Sequence, residues 1–275
     1  MGDWQTKGTA QQFSMVGNDI LSRPKPVYPS LTANTKGLWV ELGTADIDAS
    51  AITVMIPEGY GGTDYLVDIG IGPAGSEQVL VANLNISIGS TSYGDKVSFC
   101  SRIPIPVRTG TRIAARVQGT TTSASRYIRV GVLLEANGQS AGGRVVTIGA
   151  STADSGGVAI DPGAVDNTKG AWVEIVAACP ANLRAAIIGF GTSANTAMTN
   201  CLWLVDIGIG GAGVEQVLIP NIALAAHDYP DALVPAHTPC FEISIPAGVR
   251  IAARAACTIV DATDRKFDVF IYGIA

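Results

Sequence analysis

Leu66-Val67-Asp68-Ile69-Gly70-Ile71-Gly72 and Leu204-Val205-Asp206-Ile207-Gly208-Ile209-Gly210 are the same seven residues written twice, 138 positions apart. In the second copy Trp203, Val205, Ile207 and Ile209 fall on one side of an extended chain, and Leu204, Asp206 and Gly208 fall on the other. That period of two is the signature of a strand with one face in a core. Glu77-Gln78-Val79-Leu80 and Glu215-Gln216-Val217-Leu218 follow at the same offset, beyond a glycine-bearing turn, so each copy reads as a hairpin.

Outward from the hairpin the duplication continues. Arg112-Ile113-Ala114-Ala115-Arg116 recurs as Arg250-Ile251-Ala252-Ala253-Arg254, again 138 apart. Upstream, Thr35-Lys36-Gly37-Leu38-Trp39-Val40-Glu41 recurs as Thr168-Lys169-Gly170-Ala171-Trp172-Val173-Glu174 at an offset of 133. One net insertion of five residues therefore lies between Glu174 and Leu204, and the uncharged stretch Gly191 to Asn200 is the best place for it. Phe13 to Gly17 and Val145 to Gly149 align as well, one residue short of the 133 offset. A flexible connector, Asn137 to Gly143, separates the copies, giving repeat 1 with an N-terminal arm over 1–138 and repeat 2 over 139–275. Each has the size of an ordinary domain.

In the second copy the strand candidates run near 171–177, 184–190, 202–209, 214–219, 240–245, 249–257 and 266–274. They are short, rich in Val, Ile, Leu and Thr, and separated by Gly, Pro, Asn or Ser; helical periodicity is missing. Ile243 to Ile251 joins two of them through Pro246-Ala247-Gly248, and Pro106 to Gly110 has that role in the first copy. The expected fold is all-β: two tandem β-sandwich, jelly-roll-like domains related by the internal repeat, with jelly-roll order ahead of an immunoglobulin-like one.

Composition bounds the function. The 275 residues are 47% apolar and 15% charged, against about 25% charged in a typical domain. A formal net charge of -5 argues against nucleic acid as a partner. No secretory signal pattern opens the chain, and the 21-residue uncharged run 185–205 carries Thr192, Ser193, Asn195, Thr196, Thr199 and Asn200, which argues against membrane insertion. Cys100, Cys179, Cys201, Cys240 and Cys257 have no metal-ligand spacing and read as thiols of a reducing compartment.

The repeated Asp68/Asp206 and Glu77/Glu215 come nearest to a catalytic carboxylate pair, such as glycoside hydrolysis needs. Acceptors for turn amides are the stronger reading. Gly70, Gly72 and Gly75 lack the Lys-Ser or Lys-Thr of a phosphate loop. Arg112, Arg116, Arg250 and Arg254, spaced by four, share a strand face; a solvated face, or pairing with Asp68 and Asp206, is favoured over a receptor patch for acidic sugars. His227 and His237 lack metal-site spacing, so no metal and no cofactor are expected. Without a nucleophile motif, no enzyme is expected. Loops remain, and Tyr60, Asp64, Tyr65, Tyr93, Asp95, His227, Asp228 and Tyr229 form a set suited to glycan binding, rings stacking on sugar faces and polar groups taking hydroxyls.

The TKGxWVE, LVDIGIGxAGxEQVL and IPxGxRIAAR phrases resemble β-sandwich modules in virion proteins of tailed bacteriophages and phage-like particles, among tail fibres, head spikes and decoration proteins. The resemblance implies a non-enzymatic virion surface protein of the spike or fibre type. It would be made in the host cytoplasm without a signal peptide, have other virion proteins as partners, and contribute to host attachment through surface polysaccharide. A cement or decoration protein is the rival within that class; a carbohydrate-active enzyme or bacterial lectin is the rival outside it. The charge-poor surface, rich in Ala, Gly, Ser and Thr, leads to the expectation of a homo-oligomer, trimer ahead of pentamer.

Overall fold

The structure is a computed structural model that describes residues 13–17, 24–59, 63–88, 99–123, 125–192, 199–228, 233–259 and 265–275. The first copy holds β1 (Phe13–Val16), β2 (Lys25–Val27), β3 (Val40–Thr44), β4 (Ala51–Gly59), β5 (Thr63–Ile71), β6 (Gln78–Ile88), β7 (Phe99–Ile103), β8 (Arg112–Gly119) and β9 (Ile128–Glu135). The second holds β10 (Val145–Ile148), β11 (Val158–Ile160), β12 (Val173–Val176), β13 (Ala185–Gly191), β14 (Thr199–Ile209), β15 (Gln216–Asp228), β16 (Ile251–Cys257) and β17 (Phe267–Ile274).

All strand pairings are antiparallel, in four sheets. One sheet of the first copy has the order β1-β9-β4-β7, with β2 also on β9; the other has the order β3-β8-β5-β6. With β1 and β2 taken as one interrupted strand, the eight strands fall as 1-8-3-6 facing 2-7-4-5. That is jelly-roll order. In the second copy β10 and β11 share β17, which pairs β13, and the facing sheet is β12-β16-β14-β15. The protein is all-β, two jelly-roll sandwiches in tandem.

One expected strand is reduced. The 240–245 candidate forms only isolated bridges, Phe241 to Ala186 and Ile245 to Leu183, with His237 bridging Gly189 just before it. Pro235 and Pro239 lie in this segment, and proline has no N–H to give a ladder. The 214–219 candidate is longer than expected, continuing to Asp228 past an exposed Pro220. β15 is an edge strand, where a missing donor can face solvent. The three-residue β11 was not anticipated.

Register refines the offsets. Phe13 faces Glu135 and Val145 faces Ile274, so the first strands correspond at 132 rather than 133. Glu58 opposite Arg129 corresponds to Gly191 opposite Asp268, still 133 apart. Tyr65 opposite Gly119 corresponds to Trp203 opposite Cys257, 138 apart. The five net residues therefore fall between Gly191 and Trp203. Among the described residues β14–β15 pairs as far as Thr199 opposite Asp228, and β5–β6 as far as Thr63 opposite Ile88, the counterpart of Cys201 opposite Ala226.

The sandwiches pack against each other. Every residue of β13 and β17 is buried, on both faces of that sheet. Ile188, Phe190, Phe267, Val269 and Ile271 join the core of the second sandwich, while Ala185, Ile187, Phe270, Tyr272 and Ile274 join that of the first. The Tyr272 hydroxyl accepts the Asn85 amide N–H at 2.7 Å, and Thr147 Oγ1 donates to the Ala82 carbonyl, tying this sheet to β6. Beside it the Gln118 amide donates to Thr152 O and Ser155 Oγ, both at 3.0 Å, and Ser155 Oγ donates to Asn34 Oδ1 at 2.8 Å.

Candidate functional site

The duplicated phrases build the same charged node on the outer face of each sandwich. Asp68 lies on the polar side of β5, opposite Arg116 of β8. Its Oδ2 accepts Arg116 Nε at 2.8 Å, and its Oδ1 accepts Lys36 Nζ at 2.7 Å and the Asn83 amide N–H at 2.8 Å. Asp206 takes Arg254 at 3.0 Å, Lys169 at 2.7 Å and the Asn221 amide at 2.9 Å. Asn83 and Asn221, with φ of 53° and 52°, sit in the left-handed region, which asparagine enters more readily than most residues. Both occur at irregularities of the hairpin ladder, where the bent strand aims its N–H at the carboxylate.

Tryptophan completes each node. The Arg116 guanidinium lies 4.5 Å from the centre of the Trp39 ring, and Arg254 lies 4.5 Å from that of Trp172. A Cβ on Gly70 would come within 2.7 Å of the Trp39 ring, and one on Gly208 within 2.6 Å of Trp172. The first glycine of each LVDIGIG phrase is thus a seat for an indole. The next glycines, at positive φ, turn the hairpin.

The second carboxylates form a second repeated cluster. Arg112 binds Glu41 at 2.8 Å, Glu77 at 2.9 Å and the Gly72 carbonyl at 3.1 Å; Arg250 binds Glu174, Glu215 and Gly210 O in the same way. The Gly75 amide also donates to Glu77. The expectation that the arginines pair with Asp68 and Asp206 holds for Arg116 and Arg254; Arg112 and Arg250 pair with the glutamates.

These contacts set the ionisation. Burial alone would raise Glu77 and Glu215, but local backbone N–H groups and the neighbouring arginine outweigh it and hold both below the usual carboxylate range. Asp206 is lowered likewise: desolvation is outweighed by Lys169, the Asn221 amide and Arg254. Lys36 is lowered by burial, partly offset by Asp68. A general acid needs a raised pKa and a reachable proton; these carboxylates are ionised acceptors.

The described members of the glycan set lie in two places, Asp64 and Tyr65 on β5 and His227 and Asp228 on β15. Tyr65 has no exposed surface. It stands where Trp203 stands in the second copy, pointing into the core, and no sugar reaches it. Asp64 is half-buried at the start of β5, its carbonyl accepting the Thr120 amide. His227 and Asp228 close the extended end of β15. Tyr60, Tyr93, Asp95 and Tyr229 lie outside the described residues. His237 is half-buried with its Nε2 enclosed, its ring centre 5.7 Å from that of Tyr272, and desolvation pushes its pKa down to about 3. Cys179, Cys201, Cys240 and Cys257 are free thiols, and burial raises Cys257 to about 11. Among the described residues no three of His, Cys, Asp and Glu cluster as metal ligands, and no helix is long and apolar enough to cross a membrane.

The reading of the sequence missed Lys36, Lys169, Trp39, Trp172, Asn83 and Asn221 as members of the nodes. All six keep the spacing of the repeat, and that spacing was the available signal.

No protein-family model matches the chain, and no curated protein matches it. Among solved structures it is similar to the STIV major capsid protein, with a TM-score of 0.38, 9% identity and 96% of each chain covered. It is also similar to N-glycanase F (PNGase F), with a TM-score of 0.39, 9% identity and 96% of each chain covered, and to PNGF-II at 0.34 and 8%, covering 96% of this chain and 65% of that one. A capsid protein and a glycanase share this distant likeness, which extends to the sandwich fold alone.

Proposed function

We propose that the chain is a non-enzymatic structural protein of a virus particle, exposed on the particle surface as a spike or fibre component. It assembles as a homo-oligomer, a trimer ahead of other states, alongside other virion proteins. It is made in the host cytoplasm and contributes to host attachment through glycans.

The observation that carries this reading is the duplicated node. The candidate acid–base residues, Asp68 and Asp206, are each held by two cations and an amide in both copies, and Glu77 and Glu215 are each held by an arginine. The repeated charges therefore stiffen a scaffold. Within the glycan set, the β5–β6 ladder ends at Thr63 and Ile88, which flank the stretches carrying Tyr60 and, further along the chain, Tyr93 and Asp95. Stretches that a rigid scaffold carries at its ends suit recognition.

Binding of the purified protein to a glycan array and to host cells is the test. Binding that falls when Asp64 and Tyr93 are replaced by alanine is the expected result. Absence of glycan and cell binding, together with fragile particles when the protein is missing, would transfer the assignment to a shell-stabilising cement protein, a reading that the exposed Phe13 and Leu202 also favour. Release of sugar ends from a polysaccharide, abolished by Asp68→Ala or Asp206→Ala, would overturn the non-enzymatic reading.

A further inference from the structure

The junction between the sandwiches is asymmetric. The outer face of β10–β17–β13 covers β6 and the neighbouring outer positions of β5 and β8. Each sandwich possesses both kinds of surface, because each is a copy of the other. Inside one chain a single surface of each kind is in use: the receiving face of the first sandwich and the inserting face of the second.

Register identifies the unused receiving face. Leu66, fully buried at the junction, corresponds to Leu204, which is 45% exposed. Asn85, whose backbone amide donates to Tyr272, corresponds to the exposed Ala223, and Gln118, whose side chain holds Thr152 and Ser155, corresponds to Ala256. Asp64 corresponds to Leu202, 56% exposed. The side-chain anchor at Gln118 is thus replaced by an apolar residue, and Leu202, Leu204, Ala223 and Ala256 line a shallow apolar depression of about 280 Å³. Leucines grouped in this way on a surface are the mark of a contact site.

The unused inserting face is the outer side of β1–β9–β4. Phe13, Met15 and Leu133 stand where Val145, Thr147 and Tyr272 stand in the second sandwich. Phe13 is 53% exposed, and Met15, Leu133 and Met55 are half-buried. The Arg102–Glu135 and Arg129–Glu58 ion pairs frame this apolar stripe. An apolar centre within a polar rim is the usual anatomy of a protein interface.

We propose that the uncovered receiving face of the second sandwich binds the uncovered inserting face of the first sandwich of a second copy of this chain. The contact inside the chain is then repeated between chains. Its two sides are different patches, so the interface is heterologous: it generates a ring where the rotation closes and a filament where it does not. This rests on the assembly part of the proposed function and names its surface.

The test uses the full chain and light scattering coupled to size exclusion across a concentration series. Wild type is expected to self-associate. Leu202→Asp on the receiving face and Phe13→Asp on the inserting face are each expected to weaken self-association by about tenfold or more, as loss of a central apolar anchor does. Circular dichroism checks that both remain folded; Ala223→Asp and Met15→Asp are the reserves if either does not. Mixed in equal amounts, the two variants retain one intact face each and are expected to form a discrete two-chain species that neither forms alone. A monomeric wild type overturns both this interface and the assembly reading. A wild-type oligomer indifferent to both substitutions, or a mixture that yields no two-chain species, overturns this interface and leaves assembly standing.

Discussion

Leu133 and Tyr272 occupy one place in two copies of one fold, and their surroundings are opposite. Each pairs with the first strand of its sandwich and with the fourth-strand equivalent, Met15 and Thr53 around Leu133, Thr147 and Ile187 around Tyr272. Leu133 is half-buried among solvated ion pairs, whereas Tyr272 is fully buried, stacked on Phe270 and bonded to the next sandwich. The charged nodes, by contrast, are superimposable in partners and distances. What the copies share serves each sandwich by itself; what they do not share reports which faces a neighbour covers.

The largest test of that distinction removes the aromatic ring. Tyr272→Ala opens a cavity at the junction and strips the Asn85 amide of its acceptor, an expected loss of about 4 kcal/mol. Leu133→Ala removes a half-exposed side chain and is expected to cost about 1 kcal/mol. Denaturant midpoints of the two variants compare them directly. Equal losses would mean that the junction is not a core, and that the two faces differ in composition alone.

A step smaller is the test of equivalence. Asp68→Asn and Asp206→Asn each leave a lysine and an arginine without their counter-charge at a largely buried position, an expected cost of about 3 kcal/mol. Because both nodes have the same partners, the two losses are expected to agree within about 1 kcal/mol. A clear inequality in the same denaturation measurement would show that the junction beside Asp68 reaches into its node.

Much of this was legible from spacing. The 138-residue offset holds from β5, β6 and β8 to β14, β15 and β16, and the alternation through Trp203, Val205 and Ile207 placed that strand's core face correctly. The same alternation, carried back by the offset, puts Tyr65 in the core; nearness to Gly61 and Gly62 made it look like a loop residue instead. The nodes were half legible, because a repeated Asp and Arg suggest a pair, but the third partner is a backbone N–H aimed by a left-handed asparagine. The junction was not legible at all. It depends on which face of one sandwich meets which face of the other, a long-range packing outcome that leaves no periodic trace in a single strand. The edge strand β15 tolerates Pro220 beyond the 214–219 candidate, whereas Pro235 and Pro239 dissolve a ladder beside the 240–245 candidate.

A further expected effect concerns the proline-interrupted segment carrying His237. Its imidazole packs between Gly189 and Tyr272, where an added Cβ at Gly189 would meet both rings. Burial holds the folded pKa at about 3, while the unfolded chain takes up the proton near pH 6.5. A depressed histidine pKa means that the unfolded state binds more protons throughout that window. Stability from this group is complete above about pH 6.5 and declines as the pH falls towards 3. Between pH 7 and pH 5 the expected loss is about 2 kcal/mol. Lowered carboxylates such as Asp206 do not contribute to that interval, since their protons are taken up below about pH 4. His237→Leu should therefore flatten the slope of unfolding free energy between pH 7 and pH 5, whatever it does to absolute stability. An unchanged slope would mean that His237 meets water in the folded protein, and that the proline-rich segment does not close the second sandwich as the ladder of β7 closes the first.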